Sequence, residues 1–114
     1  MFKELYLHLK NNGFNVYSIG QHKGVCIDPY IVISETGDSD IVGKNLMNKN
    51  VELLVYYPLG KYSEINNYIE KIKNTMKELS HFRRVINPNP IIVDDDKQAY
   101  MTFLAYRKIK LKER

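Results

Sequence analysis

Gly20-Gln21-His22-Lys23-Gly24-Val25-Cys26-Ile27-Asp28-Pro29-Tyr30-Ile31-Val32-Ile33 is the stretch that decides the fold. It holds nearly every residue type in the chain that could do chemistry, and then runs straight into an apolar strand. As an active site it would make the protein an enzyme; as a shaped loop feeding a sheet it makes the protein a scaffold. His22 and Cys26 could pair as base and thiolate, since an imidazole lowers a thiol pKa. Four residues apart in a glycine-bearing loop, they have no third orienting group and no evident oxyanion donors. A metal site built from His22, Cys26 and Asp28 falls short of the four ligands, or three plus water, that zinc requires. His8 lies on the first predicted helix and His81 just past the second, so neither is placed beside this loop. The loop reading therefore stands, with Cys26 as a small buried hydrophobe and His22 and Lys23 exposed at the tip.

Outward from this stretch the pattern is α+β. Phe2, Leu5, Tyr6 and Leu9 fall at helical spacing over residues 2–12, and Gly13 follows where a left-handed cap is wanted. Phe14 to Ile19 alternates as a strand, and Pro29 to Glu35 is a second, with proline tolerated at its first position. Thr36-Gly37-Asp38-Ser39-Asp40 reads as a turn, and Gly43 to Asn50 as a polar connection. Val51, Leu53, Val55 and Tyr57 alternate with Glu52, Leu54 and Tyr56, so this third strand is apolar on both faces and belongs at the centre of a sheet. After Pro58, Ser63 is the expected N-cap of a long amphipathic helix with the stripe Ile65, Ile69, Ile72, Met76 and Leu79. The segment from His81 to Pro90 reads as a loop. A strand at Ile91 to Val93, a turn at Asp94 to Lys97 and a long last strand complete the chain. The expectation is a single domain over residues 1–114 with a mixed, mainly antiparallel sheet of about five strands, in the order α-β-β-β-α-β-β.

The bulk numbers agree with one domain. A chain of 114 residues with 44% hydrophobic side chains can build one core. No run approaches the roughly 20 apolar residues of a membrane helix, the start lacks the pattern of a secretory leader, and a single cysteine forms no intrachain disulfide, so the expected compartment is the cytoplasm. The formal charge of +4 invites a nucleic-acid reading. Arg107, Lys108, Lys110, Lys112 and Arg114 supply much of it, however, and the blander reading is a solvated strand end. Nine tyrosines suit surfaces buried on assembly, or else reflect an AT-rich genome together with the abundant Asn, Lys and Ile. Asp94, Asp95 and Asp96 suggest a hard-cation site but read better as a tight turn. Gly43-Lys44 lacks the rest of a phosphate loop. His81-Phe82-Arg83-Arg84 puts cations just past a helix end, where they answer exposed carbonyls.

The element order, with Tyr17-Ser-Ile-Gly-Gln-His-Lys-Gly-Val-Cys-Ile-Asp-Pro-Tyr-Ile-Val-Ile and the closing Asp95-Asp-Lys-Gln-Ala-Tyr-Met-Thr-Phe-Leu-Ala-Tyr-Arg, resembles the tail-completion proteins of tailed phages. These are the tail terminator or tail-to-head joining proteins, and the collar subunits of phage-tail-like bacteriocins. The likeness spans almost the whole chain through structural strings without a catalytic signature. It implies a structural virion or particle protein, not an enzyme and without a cofactor. Such a subunit forms a homohexameric ring on the head-proximal end of a tail tube, stops tube growth and joins or caps it. The implied partners are further copies of the chain, the tail tube protein and a sheath or head-connector protein, with DNA crossing the lumen and no membrane involved. Candidate subunit or tube contacts are Gln21, His22, Lys23, Lys44, Tyr100 and Tyr106. The alternative function is a small nucleic-acid-binding α+β module that stacks bases on tyrosines.

Overall fold

The computed structural model describes residues 1–41, 43–86 and 89–111. Two helices, α1 (Phe2–Asn11) and α2 (Tyr62–Lys77), lie on one face of a mixed six-stranded sheet. The strands are β1 (Val16–Ser18), β2 (Tyr30–Asp40), β3 (Leu46–Pro58), β4 (Phe82–Val85), β5 (Ile92–Asp94) and β6 (Ala99–Leu111). The sheet runs β1-β2-β3-β6-β4, with β5 also paired to β6. Among the described residues β1 and β2 pair in parallel and every other pairing is antiparallel. β3 is the middle strand, as its two apolar faces require.

Side chains alternate across the sheet, so one face is closed and the other largely open. Ile31 and Ile33 of β2, Val51, Leu53 and Val55 of β3, and Leu104 and Tyr106 of β6 meet Leu5 and Leu9 of α1 and Ile72 and Met76 of α2. That is the main core. α2 buries Ile65, Ile72 and Met76, with Ile69 and Leu79 only partly covered, so the four-three spacing marks the stripe correctly. Its first helical residue is Tyr62 and its cap position is Lys61, with no side-chain cap; Ser63 already lies inside the helix. The two helices are tied by His8 Nε2, which donates to the Thr75 carbonyl at 2.9 Å and lies 3.2 Å from Glu78. His81 meets Glu4 at 2.7 Å.

Four expectations are corrected. The sheet has six strands, because Phe82–Val85 pairs with β6 where a loop was expected. Two arginines in four residues hide a strand from hydrophobic periodicity, yet charges suit a strand at a sheet edge. Thr36 to Asp40 is not a turn; β2 continues through it to Asp40, and the register slips by one residue between Glu35 and Gly37. Gly37, at φ +99°, sits in that bulge, a conformation glycine adopts without steric cost. Leu46 to Asn50 likewise belongs to β3 instead of a connection. Lastly, the long elements are strands and not the helix: α2 has 16 residues, about 24 Å of rise, whereas β3 and β6 have 13 each, about 43 Å. The turn expected at Asp94 to Lys97 lies one residue later, at Asp95 to Gln98, with Asp94 ending β5; Asp94 Oδ1 accepts from the Lys97 amide at 3.1 Å.

The long strands overhang the helical layer and draw the molecule out to 48 × 26 × 24 Å. The radius of gyration is 14.9 Å, against roughly 13 Å for a compact chain of this length. Lys112 and Arg114 of the basic end, and Pro88, lie outside the described residues.

Candidate functional site

Parallel strands cannot be joined by a hairpin; the chain must return across a face of the sheet. Helices occupy one face, so the connection from β1 to β2 crosses the other. Cys26 N donates to Lys97 O at 2.7 Å, and Lys97 Nζ donates to His22 O at 3.3 Å, pinning the Gly20 to Asp28 loop to the turn before β6. The loop closes at its start through Gln21, whose side-chain oxygen accepts from the Ser18 amide at 2.8 Å. Lys23 stands exposed at the tip.

Beneath the loop is an aromatic stack. The His22 ring lies on Tyr30 at 3.9 Å between centroids, and Tyr30 lies on Tyr56 at 4.7 Å, with Tyr17 edge-on to both His22 and Tyr30. His22 is thus half-buried instead of exposed at the tip. Its Nδ1 and the Tyr30 hydroxyl are buried with no hydrogen-bond partner among the described residues. Burial, and then the Lys97 charge, push the His22 pKa below its ordinary value of 6.5. Burial pushes the Tyr30 phenol upward as well. Beside the stack is an open recess of about 330 Å³, lined by Ser18, Ile19, His22, Tyr30, Leu54, Tyr56 and Lys97.

Cys26 is buried as expected, and its thiol donates to the Asp28 carbonyl at 3.3 Å. Burial, reinforced by Asp28, raises its pKa to about 11. The protonated thiol is a packing group, which is the opposite of the electrostatics an attacking cysteine needs. Among the described residues no three His, Cys, Asp or Glu side chains gather as a metal site. Among the described residues no helix is long and apolar enough to cross a membrane.

The six candidate contact residues do not converge. Gln21, His22 and Lys23 share the loop; Lys44 is exposed in the β2–β3 connection, past the row where Leu46 pairs with Leu111. Tyr100 is eleven rows away, opposite Tyr57 and edge-on to Tyr62, which is about 37 Å along the strands. Tyr106 is 4% exposed in the main core, where burial raises its phenol to about 12. All nine tyrosines are accounted for. Tyr6 stacks on Phe2, Tyr57 meets Tyr68, and Tyr17, Tyr30, Tyr56, Tyr62 and Tyr100 have the partners given above.

Sequence reasoning missed the surface that the helices leave uncovered. Beyond the loop and the Leu54 side chain that packs on its cluster, the open face carries Phe103 and Met101 half-buried, and Ile92 and Ile109 exposed. The loop adds Ile19, Val25 and Ile27, the last 81% exposed. Met101, Phe103 and Ile92 lie together on this face, while Ile109 stands six rows farther along β6 beyond Arg107; exposed apolar groups of this kind are what assembly interfaces use. The alternation in β6 was visible, but which face the helices choose was not. Comparison with protein-family models and with curated proteins finds no match to either.

Proposed function

We propose that this chain is a structural subunit of a phage tail or phage-tail-like particle. Copies of it form a ring at the head-proximal end of a tail tube, end the growth of the tube and join or cap it, without catalysis or cofactor. The observation that carries the reading is the uncovered face: a helix-free sheet surface with Phe103, Met101 and Ile92 together and Ile109 farther along, bordered by a loop that exposes Ile19, Val25 and Ile27 as well as Lys23. A chain that closes its helix face and the cluster of Cys26 and Tyr30 and still leaves apolar side chains exposed on the sheet is organised to bury them against protein. The resemblance in sequence supplies the kind of assembly, and the α+β architecture with a mixed sheet is compatible with it. The tube protein would seat on the loop side, with the sheath or head-connector protein and the passing DNA as further neighbours.

The test uses tubes polymerised from purified tail tube protein of the same particle. Added chain should appear in negative stain as a cap on one end only, and elongation from that end should stop. Tubes that keep growing at both ends, with no added density, would refute the reading.

A further inference from the structure

The sheet has two unmatched edges, and they fit each other. On one side β1 pairs only with Ile31 to Ile33, so the outer edge of β2 from Ser34 onward has no strand beside it among the described residues. On the other side β4 is the last strand. Following the register across the sheet, Glu35 lies in one row with Val51, Tyr106 and Arg84. Gly37 shares a row with Asn50, Arg107 and Arg83, and Asp38 shares one with Lys49, Lys108 and Phe82. The bare part of β2 and the whole of β4 therefore stand at the same height on opposite edges.

Three properties of the edges agree. The β2 edge is acidic through Glu35 and Asp38, and the β4 edge basic through Arg83 and Arg84, all four exposed. Neither arginine is in a salt bridge among the described residues. Strand direction also fits: β2 and β6 run one way and β3 and β4 the other, so a copy placed alongside presents its β4 antiparallel to β2. Exposed apolar groups end both edges at this level. Ile19, 66% exposed, follows β1, and Ile86, 79% exposed, follows β4.

We propose that copies of this chain join edge to edge, β4 of one adding antiparallel to Ser34–Asp38 of the next and bringing Arg84 opposite Glu35. This deepens the ring reading above and rests on it for the biological setting, though not for the joint itself. β4 then ends at the Ser34 row, abutting β1, whose Ser18 holds the Ile33 row, so the chain turns out of the edge at Ile86, close to Ile19. The joint is heterologous, the kind that closes into rings or runs on as filaments. Like charges directly opposite one another disfavour pairing, so the acidic edge rejects a second acidic edge while accepting the basic one. The bulge between Glu35 and Gly37 falls inside the receiving segment and gives that edge an irregular register, which guards against indiscriminate strand addition.

Mass photometry and sedimentation of the purified chain, from nanomolar to 100 micromolar on the order of typical interface affinities, read the joint directly. Glu35→Arg and Arg84→Glu should each weaken self-association about tenfold or more, and the double exchange should restore it. Circular dichroism confirms that each variant is folded. Separately, Glu35→Cys protein mixed with Arg84→Cys protein should form a disulfide-linked pair under mild oxidation, with buried Cys26 left in place as the control. A chain that stays monomeric throughout overturns the joint, as does association indifferent to both charge reversals, or cross-linking of Glu35→Cys to itself. None of these results prevents tube capping, so the assay of the previous section fails or succeeds independently.

Discussion

His22 is the residue whose surroundings differ most from what its neighbours in the chain suggest. A histidine between glycines reads as a loop tip, but the loop's return across the sheet lays its ring on Tyr30 and removes its Nδ1 from water. The folded pKa lies below 6.5, so between the folded and unfolded values the unfolded chain binds the extra proton. Stability is therefore full above the unfolded pKa and falls as pH drops through the folded one. Thermal melting should show the wild type losing stability below about pH 6 by more than a His22→Phe variant, which keeps the stack and cannot titrate. Parallel pH profiles for the two would show that the imidazole is not desolvated. Cys26 makes a second prediction: with its thiol near pKa 11 and 3% exposed, an aromatic disulfide reagent at pH 8 should label it on the order of a hundredfold more slowly in the folded chain than in urea. Equal rates would place the thiol at the surface.

Elements were legible in proportion to how fully they are buried. α2, β3 and the first half of β2 carry apolar spacings that only a covered face explains, and they appear where those spacings put them. The stripe of α2 is weighted differently, however: Ile72 is 0% exposed, while Ile69 at its flank is only partly buried. Ile72→Ala should cost about 2–5 kcal/mol in urea denaturation and Ile69→Ala clearly less; equal costs would mean that the helix is rotated about its axis. The second half of β2 was not legible, because a strand with no layer above it has no apolar residues to display, and Thr-Gly-Asp-Ser-Asp has the composition of a turn. β4 was hidden for another reason: it does bury Phe82 in the main core, but two arginines in four residues erase its periodicity. At Gly37 a Cβ would meet nothing within 4 Å, so only the backbone objects to a side chain there. Gly37→Val should destabilise by roughly 1–2 kcal/mol or more and Gly37→Asn by less, since Asn tolerates positive φ. Identical midpoints for both would contradict the bulge.

For the molecule as a whole, the α+β class and the main core could be read from residue pattern, but the functional surface and the second buried cluster under the loop could not. Periodicity reports that a strand has two faces without saying which of them the helices take, and residues that look toward a partner carry the same apolar signal as residues that look inward. Gln21, His22, Lys23, Lys44, Tyr100 and Tyr106 are grouped as contacts by their place on the loop, the β2–β3 connection and the last strand, and the sheet spreads them along its length and puts Tyr106 inside. The exposed Lys23 belongs to the assembly scale: Lys23→Glu should leave the circular dichroism spectrum and melting temperature unchanged while reducing the fraction of capped tubes. Undiminished capping would remove the loop tip from the tube contact. The overhang of β2, β3 and β6 beyond the two helices has one more consequence. Amides of β3 near Leu53 and Val55, roofed by α1 and α2, can reach solvent only when the whole domain opens, whereas those near Asn48 are released by fraying of the bare ribbon. Deuterium uptake along this one strand should therefore grade from slow to fast, and docking of a neighbour against the ribbon would flatten that gradient before it altered anything else in the spectrum.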